Sequence, residues 1–126
     1  MRPFFSAIFE SAMRIVRKLL SQDEIKVLAD ETFGDMIKVV ADLKREILVA
    51  GGALHSDGEE LLLEDGSKQG DLWGANYFPA KESGKRIEYT SLINQYHSSN
   101  KDSQTIKDPK VREQVKAVIA RYFGSG

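Results

Sequence analysis

Two histidines, His55 and His97, are the side chains in this sequence best suited to acid–base chemistry near neutral pH. His55 follows a double glycine in the tripeptide His55-Ser56-Asp57, so an imidazole and a carboxylate lie two residues apart. Such a pair can supply a general acid or base together with the group that orients it. The alternative is a hydrogen-bonded structural histidine. We therefore take His55 and Asp57 as catalytic candidates, and the sequence leaves open whether the protein is an enzyme.

The second histidine lies in a polar stretch, residues 94–100, that combines amides, a phenol, an imidazole and hydroxyls. With Lys101 and Lys107 close by, this stretch could bind a polar ligand or a nucleic-acid backbone, or it could be an ordinary polar loop. Trp73, the only tryptophan, precedes Gly74 and could be a ligand platform or a core anchor. The further candidates are His97 for catalysis and, for ligand binding, Trp73, Asn94, Tyr96, Asn100 and Lys101.

Metal and cofactor motifs are missing from the sequence. Residues 64–71 resemble a calcium loop in composition, but they lack its ligand spacing and its distal glutamate. The chain has no cysteine, which excludes disulfides, thiol nucleophiles and cysteine-ligated zinc. No glycine pattern matches a phosphate-binding loop. The sequence therefore predicts neither a metal site nor a bound cofactor.

The charge balance indicates which partners the chain can have. Eighteen basic and nineteen acidic residues among 126 give a net charge of −1, which excludes a globally basic nucleic-acid binder. Nucleic-acid binding is expected to be weak at most. The charge is nevertheless segregated, since residues 1–20 and 101–121 are basic and residues 57–71 are acidic. Opposite patches on one small domain favour a homodimer, and solvated charged faces are the alternative.

The first twelve residues combine Arg2, a short apolar run and Glu10, which differs from a signal peptide. No segment approaches the roughly 18 apolar residues of a membrane span. We therefore expect a cytoplasmic protein without a membrane partner. Met13 suggests a domain over residues 13–124 preceded by an extension over residues 1–12. That extension contains an aromatic cluster that needs a covering surface, unless the terminus is frayed: Phe4, Phe5, Ile8 and Phe9.

The first half of the chain predicts a strand and two helices. Residues 13–18 alternate apolar and basic side chains, as in an edge strand, although a helix over residues 4–20 competes. Ser21 and Glu24 form a capping box that opens a helix over residues 22–32. Helical spacing of apolar residues predicts a second helix over residues 35–49, capped by Gly51 and Gly52.

The second half predicts strands and a closing helix. Residues 61–63, 72–78 and 86–95 fit an antiparallel meander, and residues 96–105 fit a loop. Asp108 and Pro109 open a last helix that ends at Gly124. The predicted fold is a two-layer α+β domain. Its three- or four-stranded antiparallel sheet is packed by two N-terminal helices and one C-terminal helix.

Three segments resemble a family of small prokaryotic proteins of unknown function over about residues 13–123. They are GGALH at residues 51–55, LLLEDGS at 61–67 and DLWGAN at 71–76. The family has no assigned activity, so the resemblance implies no catalytic residue. Residues 92–94, Asn100 and residues 108–109 also match, but residues 95–97 read QYH where the family typically reads IRP. An arginine suited to phosphate or carboxylate is therefore absent, which implies that any family site using it is altered here.

Two functional hypotheses follow. The first is a small binding or interaction domain that self-associates. The alternative is a nucleic-acid- or phosphate-ester-processing enzyme, with His55 or His97 as acid or base and a substrate held by Asn94, Asn100 and Lys101. Convergence of His55, His97 and Asn94 within hydrogen-bonding distance in one cleft would favour the enzyme.

Overall fold

The computed structural model describes residues 13–124, which form a five-stranded antiparallel sheet and three α-helices. The sheet order is β1-β3-β2-β4-β5. None of the helices in this part of the chain has the length and apolar character needed to cross a membrane. The aromatic cluster at positions 4–9 lies outside the described residues. The strands are β1 (Met13–Val16), β2 (Ile37–Asp42), β3 (Ile47–Gly51), β4 (Leu72–Tyr77) and β5 (Ile87–Glu88), and the helices are α1 (Gln22–Asp30), α2 (His55–Glu64) and α3 (Pro109–Phe123).

The predicted edge strand, the first helix and the last helix are confirmed. β1 lies at one end of the sheet, which overturns the competing helix over residues 4–20 at those positions. The Ser21 hydroxyl accepts from the Glu24 backbone N–H, and the Glu24 carboxylate accepts from the Ser21 N–H. Asp108 caps α3, whose first helical residue is Pro109. The two helices were predictable because capping signals act over a few neighbouring residues.

The helix predicted over residues 35–49 is wrong, because this segment forms the β2–β3 hairpin. Val39 lies on one face of the sheet and Val40 on the other, and both are buried. A strand buried on both faces reads as a nearly continuous apolar run, which mimics a helical stripe. Gly51, the last residue of β3, and Gly52 take positive φ values of 101° and 82°, so they end a strand and do not cap a helix.

The strand predicted over residues 61–63 is also wrong, since these leucines belong to α2. Leu62 is completely buried, while Leu63 is exposed. The helix lies close against the sheet at Gly58, where an added Cβ would come within 3.1 Å of Val40 and 3.2 Å of Val49. A short apolar run does not distinguish a strand from a buried helical segment, and this ambiguity produced the error.

Of the three strands in the predicted meander, the second forms and the third forms only in part. β4 is confirmed, but the strand expected over residues 86–95 pairs only at Ile87–Glu88, followed by an isolated bridge between Thr90 and Thr105. The chain then forms two 3-10 turns, Leu92–Tyr96 and Ser98–Asn100. The Ser91 hydroxyl accepts from the Ile93 N–H, and a serine cap of this kind favours a turn over a continued strand.

The helices lie on both faces of the sheet, which corrects the predicted two-layer arrangement. Ile25 of α1 and Ile119 of α3 belong to the larger core on one face. Leu62 of α2 packs on the other face with Leu72 and Ile93. The sheet has five strands where three or four were expected, because residues 35–49 add two strands in place of a helix.

A charged network joins the β2–β3 turn to the loop after α2. The buried Asp42 carboxylate accepts from the Lys44 and Arg45 backbone N–H groups, both at 2.9 Å, and from the Ser67 hydroxyl at 2.6 Å. Arg45 donates to Ser67 and to Asp65, and Arg17 also donates to Asp65 at 2.6 Å. Part of the acidic segment over residues 57–71 is therefore neutralised within the chain, which reduces the charge segregation.

Candidate functional site

The outer edge of β4 is covered by side chains where β5 does not reach it. β5 pairs only with Asn76 and Tyr77. At Gly74, the Asn94 amide takes the place of a neighbouring strand: its Oδ1 accepts from the Gly74 N–H at 2.8 Å, and its Nδ2 donates to the Gly74 carbonyl at 3.0 Å. At Leu72, the carbonyl bonds to His97 Nε2 at 2.7 Å. The 3-10 turns after β5 are thus fixed to the sheet by an amide and an imidazole.

Gly74 permits the close approach of these segments. A Cβ at this position would lie 2.5 Å from the Ser91 side chain and 3.2 Å from Cδ2 of His55. Contacts this short require neighbouring atoms to move, so only glycine fits without rearrangement. Gly74, the glycine of the DLWGAN segment at residues 71–76, is therefore required for packing.

The tryptophan of the same segment is covered by a histidine ring. Trp73 and His97 are stacked, with ring centroids 3.6 Å apart and planes 4° from parallel. Trp73 is only 6% exposed, as the core-anchor interpretation expects. Its side chain still contributes to the wall of a cleft, together with His97 and Tyr96.

His55 is buried at the start of α2, and its Nε2 lies 2.7 Å from the Ala75 carbonyl oxygen. The pKa of His55 is lowered to about 4, chiefly by burial and also by the charge of Lys38, while the Ala75 hydrogen bond and the charge of Glu88 oppose this shift. The ring is therefore neutral near pH 7. Because a carbonyl only accepts, Nε2 carries the proton and Nδ1 is the unprotonated nitrogen. The ring bonds a backbone carbonyl and not the carboxylate of Asp57, which is exposed.

Two adjoining clefts lie between α2 and the 3-10 turns, and residues of both line them. The larger has a volume of about 550 Å³ and contains Trp73, His97 and Gln69. The smaller has a volume of about 420 Å³ and contains His55, Lys38, Asn76, Thr90 and Ser91. The two clefts share Glu59, Ile93 and Tyr96, and we call them together the α2 groove.

Glu59 lies between the two histidine-lined parts of the α2 groove. Burial raises the pKa of Glu59, while a hydrogen bond from Gln69 and the charge of His97 act in the opposite direction. Sequence reasoning missed this residue. Glu59 follows His55 by four positions, so the two share a helix face once α2 is recognised.

A polar row crosses the sheet beneath the smaller cleft. Lys38, Asn76 and Glu88 are direct cross-strand neighbours on β2, β4 and β5. The Asn76 amide donates to the Glu88 carboxylate at 2.7 Å and to the Thr90 carbonyl at 3.3 Å. Asn76 is only 6% exposed, and its buried Oδ1 has no hydrogen-bond partner in the part of the chain that the structure describes. A donor that bonded to Asn76 Oδ1 would remove the free-energy cost of this unpaired acceptor. Burial lowers the pKa of the neighbouring Lys38, and the charge of Glu88 opposes this effect.

The remaining sequence candidates do not line the groove. The Asn100 amide donates to the Ser103 and Thr105 carbonyls, and its Oδ1 accepts from the Lys107 N–H at 2.9 Å, so it shapes its own loop. Lys101 is exposed beside it. His55, His97 and Asn94 all bind the backbone of β4, and the two histidines line adjoining clefts. Asn94 also donates to the Gln104 carbonyl at 3.0 Å, and none of the three side chains bonds to another.

Within residues 13–124, no group of three or more histidine, aspartate or glutamate side chains is placed to hold a metal ion. No curated protein and no solved structure matches the chain. A family model does match, over residues 14–122, and its description is "Protein of unknown function (DUF5674)". Since the match covers most of the sequence, the chain belongs to this family of proteins of unknown function.

Proposed function

We propose that this protein is a small-molecule-binding domain and that the α2 groove is its binding surface. The observation that carries the proposal is Asn76, which lines a cleft of about 420 Å³ and whose buried Oδ1 has no donor among residues 13–124. Buried acceptors in folded proteins are almost always paired, and an unpaired one in a cleft is suited to a ligand donor.

The chemistry of the smaller cleft defines the kind of ligand. Asn76 Oδ1 requires an N–H or O–H donor, and the Lys38 ammonium requires an acceptor nearby. A primary amide, or another planar group that presents a donor beside an acceptor, meets both requirements. Tyr96 and Leu92 line the same cleft and are exposed by 64% and 54%, so they offer apolar surface to the rest of such a ligand.

The histidines support binding more than catalysis. His55 is neutral and bonded to Ala75, and a ring with a pKa of about 4 is a weak proton acceptor. His97 is stacked on Trp73 and bonded to the Leu72 carbonyl. Both rings therefore hold β4 in place, and the enzyme alternative has no further support from their geometry.

The test is an NMR titration of the isotope-labelled protein with benzamide, which carries an amide donor and acceptor on an apolar ring. We expect shifts at the Asn76 side-chain amide and the Trp73 indole N–H. N,N-dimethylbenzamide, which lacks the donor, should bind much more weakly. The variants Asn76→Leu and Lys38→Met should weaken binding of benzamide, and Lys44→Met removes an exposed lysine outside the groove as the matched control. Unchanged groove resonances, or equal binding by Asn76→Leu, would contradict the proposal.

Self-association is a second candidate, supported by the position of β1. β1 ends the sheet, so among residues 13–124 no strand pairs with its outer edge. Leu19, just after β1, and Val27 on α1 are 66% and 51% exposed. An unpaired strand edge beside apolar side chains can pair with a second copy of the chain. Light scattering over a concentration series should show a dimer that Val27→Lys weakens and Leu63→Lys on α2 does not. A monomer at every concentration would rule this candidate out.

A further inference from the structure

A second cavity lies between α3 and the β5 end of the sheet, and it shares no lining residue with the α2 groove. Its volume is about 290 Å³. Tyr77 and Ile119 contribute buried surface, and Ile87 contributes a half-buried aliphatic side chain. This part of the cavity is suited to an aromatic ring or a short aliphatic chain.

Two arginines, Arg86 and Arg112, line the same cavity and are held in place through one nitrogen each. Arg86 Nε donates to the Lys81 carbonyl at 2.6 Å, and Arg112 Nε donates to the Ile106 carbonyl at 2.6 Å. The Arg112 guanidinium also lies over the Tyr89 ring, 5.3 Å from its centroid. These contacts orient both guanidinium planes and leave their terminal nitrogens for another partner.

The positive charge of the two arginines exceeds the negative charge of the carboxylate that lines the same cavity. Among the residues that the structure describes, neither Arg86 nor Arg112 forms an ion pair with a carboxylate. Lys116 adds a third positive charge to the lining, and Glu113 is the acidic residue there. Oriented guanidinium groups without carboxylate partners favour an anionic ligand, because each can donate two parallel hydrogen bonds to a carboxylate or a phosphate.

We infer that this cavity is a binding site for a small organic anion. The carboxylate or phosphate group is held by Arg86 and Arg112, and the apolar body of the ligand packs against Tyr77, Ile87 and Ile119. This site is independent of the α2 groove, so either proposal can fail without the other.

The test is calorimetric titration of the full chain with benzoate, phenyl phosphate, inorganic phosphate and benzamide. Benzoate or phenyl phosphate should bind, and the tighter of the two identifies the anionic group. Benzamide has the shape of benzoate without its charge and should not bind at this cavity. NMR shifts at Arg86 and Arg112 report whether this cavity, rather than the α2 groove, is occupied. Inorganic phosphate should bind more weakly than phenyl phosphate, because it has no apolar body.

Substitutions locate the site. Arg86→Met should weaken binding of the preferred anion by about tenfold or more, and Arg112→Lys should weaken it although the charge is kept, because lysine cannot donate in a bidentate manner. Arg121→Met, which removes an exposed arginine elsewhere on α3, is the matched control and should bind as the unaltered chain does. The inference is overturned if neither organic anion binds the folded protein, if inorganic phosphate binds as tightly as phenyl phosphate, or if Arg86→Met and Arg112→Lys both leave binding unchanged.

Discussion

The imidazole of His97 lies flat against the indole of Trp73, with ring centroids 3.6 Å apart. The same imidazole bonds to the carbonyl of Leu72 through Nε2, so one side chain both covers the tryptophan and satisfies the strand that carries it. Asn94 binds the next backbone position on that edge of the strand, Gly74. The polar segment after β5 therefore acts as a substitute strand along the edge of β4.

Replacement of His97 tests the stack with an optical signal specific to one residue, because Trp73 is the only tryptophan. His97→Ala should expose one face of the indole, shift its fluorescence to longer wavelength and cost about 2 kcal/mol of unfolding free energy. His97→Phe loses the bond to Leu72 but keeps an aromatic ring over the indole. The fluorescence emission of Trp73 in this variant should therefore stay near that of the unaltered chain. An unchanged emission maximum in His97→Ala would show that the stack does not protect the indole.

Gly74 should tolerate no side chain. Gly74→Ala places a Cβ 2.5 Å from Ser91, and overpacking of this kind typically costs about 1–3 kcal/mol. The matched control is Gly70→Ala, whose Cβ would have no atom within 4 Å. Urea denaturation should give a lower midpoint for Gly74→Ala and an almost unchanged one for Gly70→Ala. Equal midpoints would mean that Ser91 moves away without cost.

The fold shows which structural elements can be predicted from local sequence. The N-terminal ends of α1 and α3 are determined by Ser21, Glu24, Asp108 and Pro109, which act on neighbouring backbone groups, and those helices were predicted. The β2–β3 hairpin was not, because its apolar spacing fits a helix as well. The choice of strand depends on burial between α2 on one face and α1 and α3 on the other, which is a tertiary effect.

The candidate site shows the same division. Trp73, Tyr96, His55 and His97 stood out by residue type, and all four line the α2 groove. Lys38 and Asn76 were missed because their proximity depends on strand register, which requires β2 to be recognised as a strand. Asn94 and Asn100 were selected as ligand-binding residues, but their amides bond the backbone. Residue type alone does not reveal whether a polar side chain faces a cleft or an unpaired strand.

Burial of His55 should make the protein less stable in mild acid. Its pKa is lowered to about 4 in the folded state from 6.5, so between these values the unfolded chain binds a proton that the folded chain does not. Stability should therefore be full above about pH 6.5 and fall as the pH decreases, with a total loss of about 3 kcal/mol near pH 4. His55→Gln, which can still donate to Ala75, should remove this part of the pH dependence. Parallel stability curves for the two proteins between pH 4 and 7 would contradict the assignment.

The Asp42 carboxylate should stabilise the β2–β3 hairpin, the segment for which the sequence pattern predicted a helix. It accepts from two backbone N–H groups in the β2–β3 turn and from the Ser67 hydroxyl, so Asp42→Ala leaves three donors without their acceptor. Hydrogen bonds to a charged group contribute about 1.5–3 kcal/mol, and a loss of about 3 kcal/mol or more is expected. Asp42→Asn retains the Oδ1 acceptor and should lose roughly half as much. Asp35→Ala, at an exposed position just before β2, should stay within about 0.5 kcal/mol of the unaltered chain. Chemical denaturation of the three variants measures these differences, and a cost for Asp42→Ala no larger than that for Asp35→Ala would show that the network does not hold the turn.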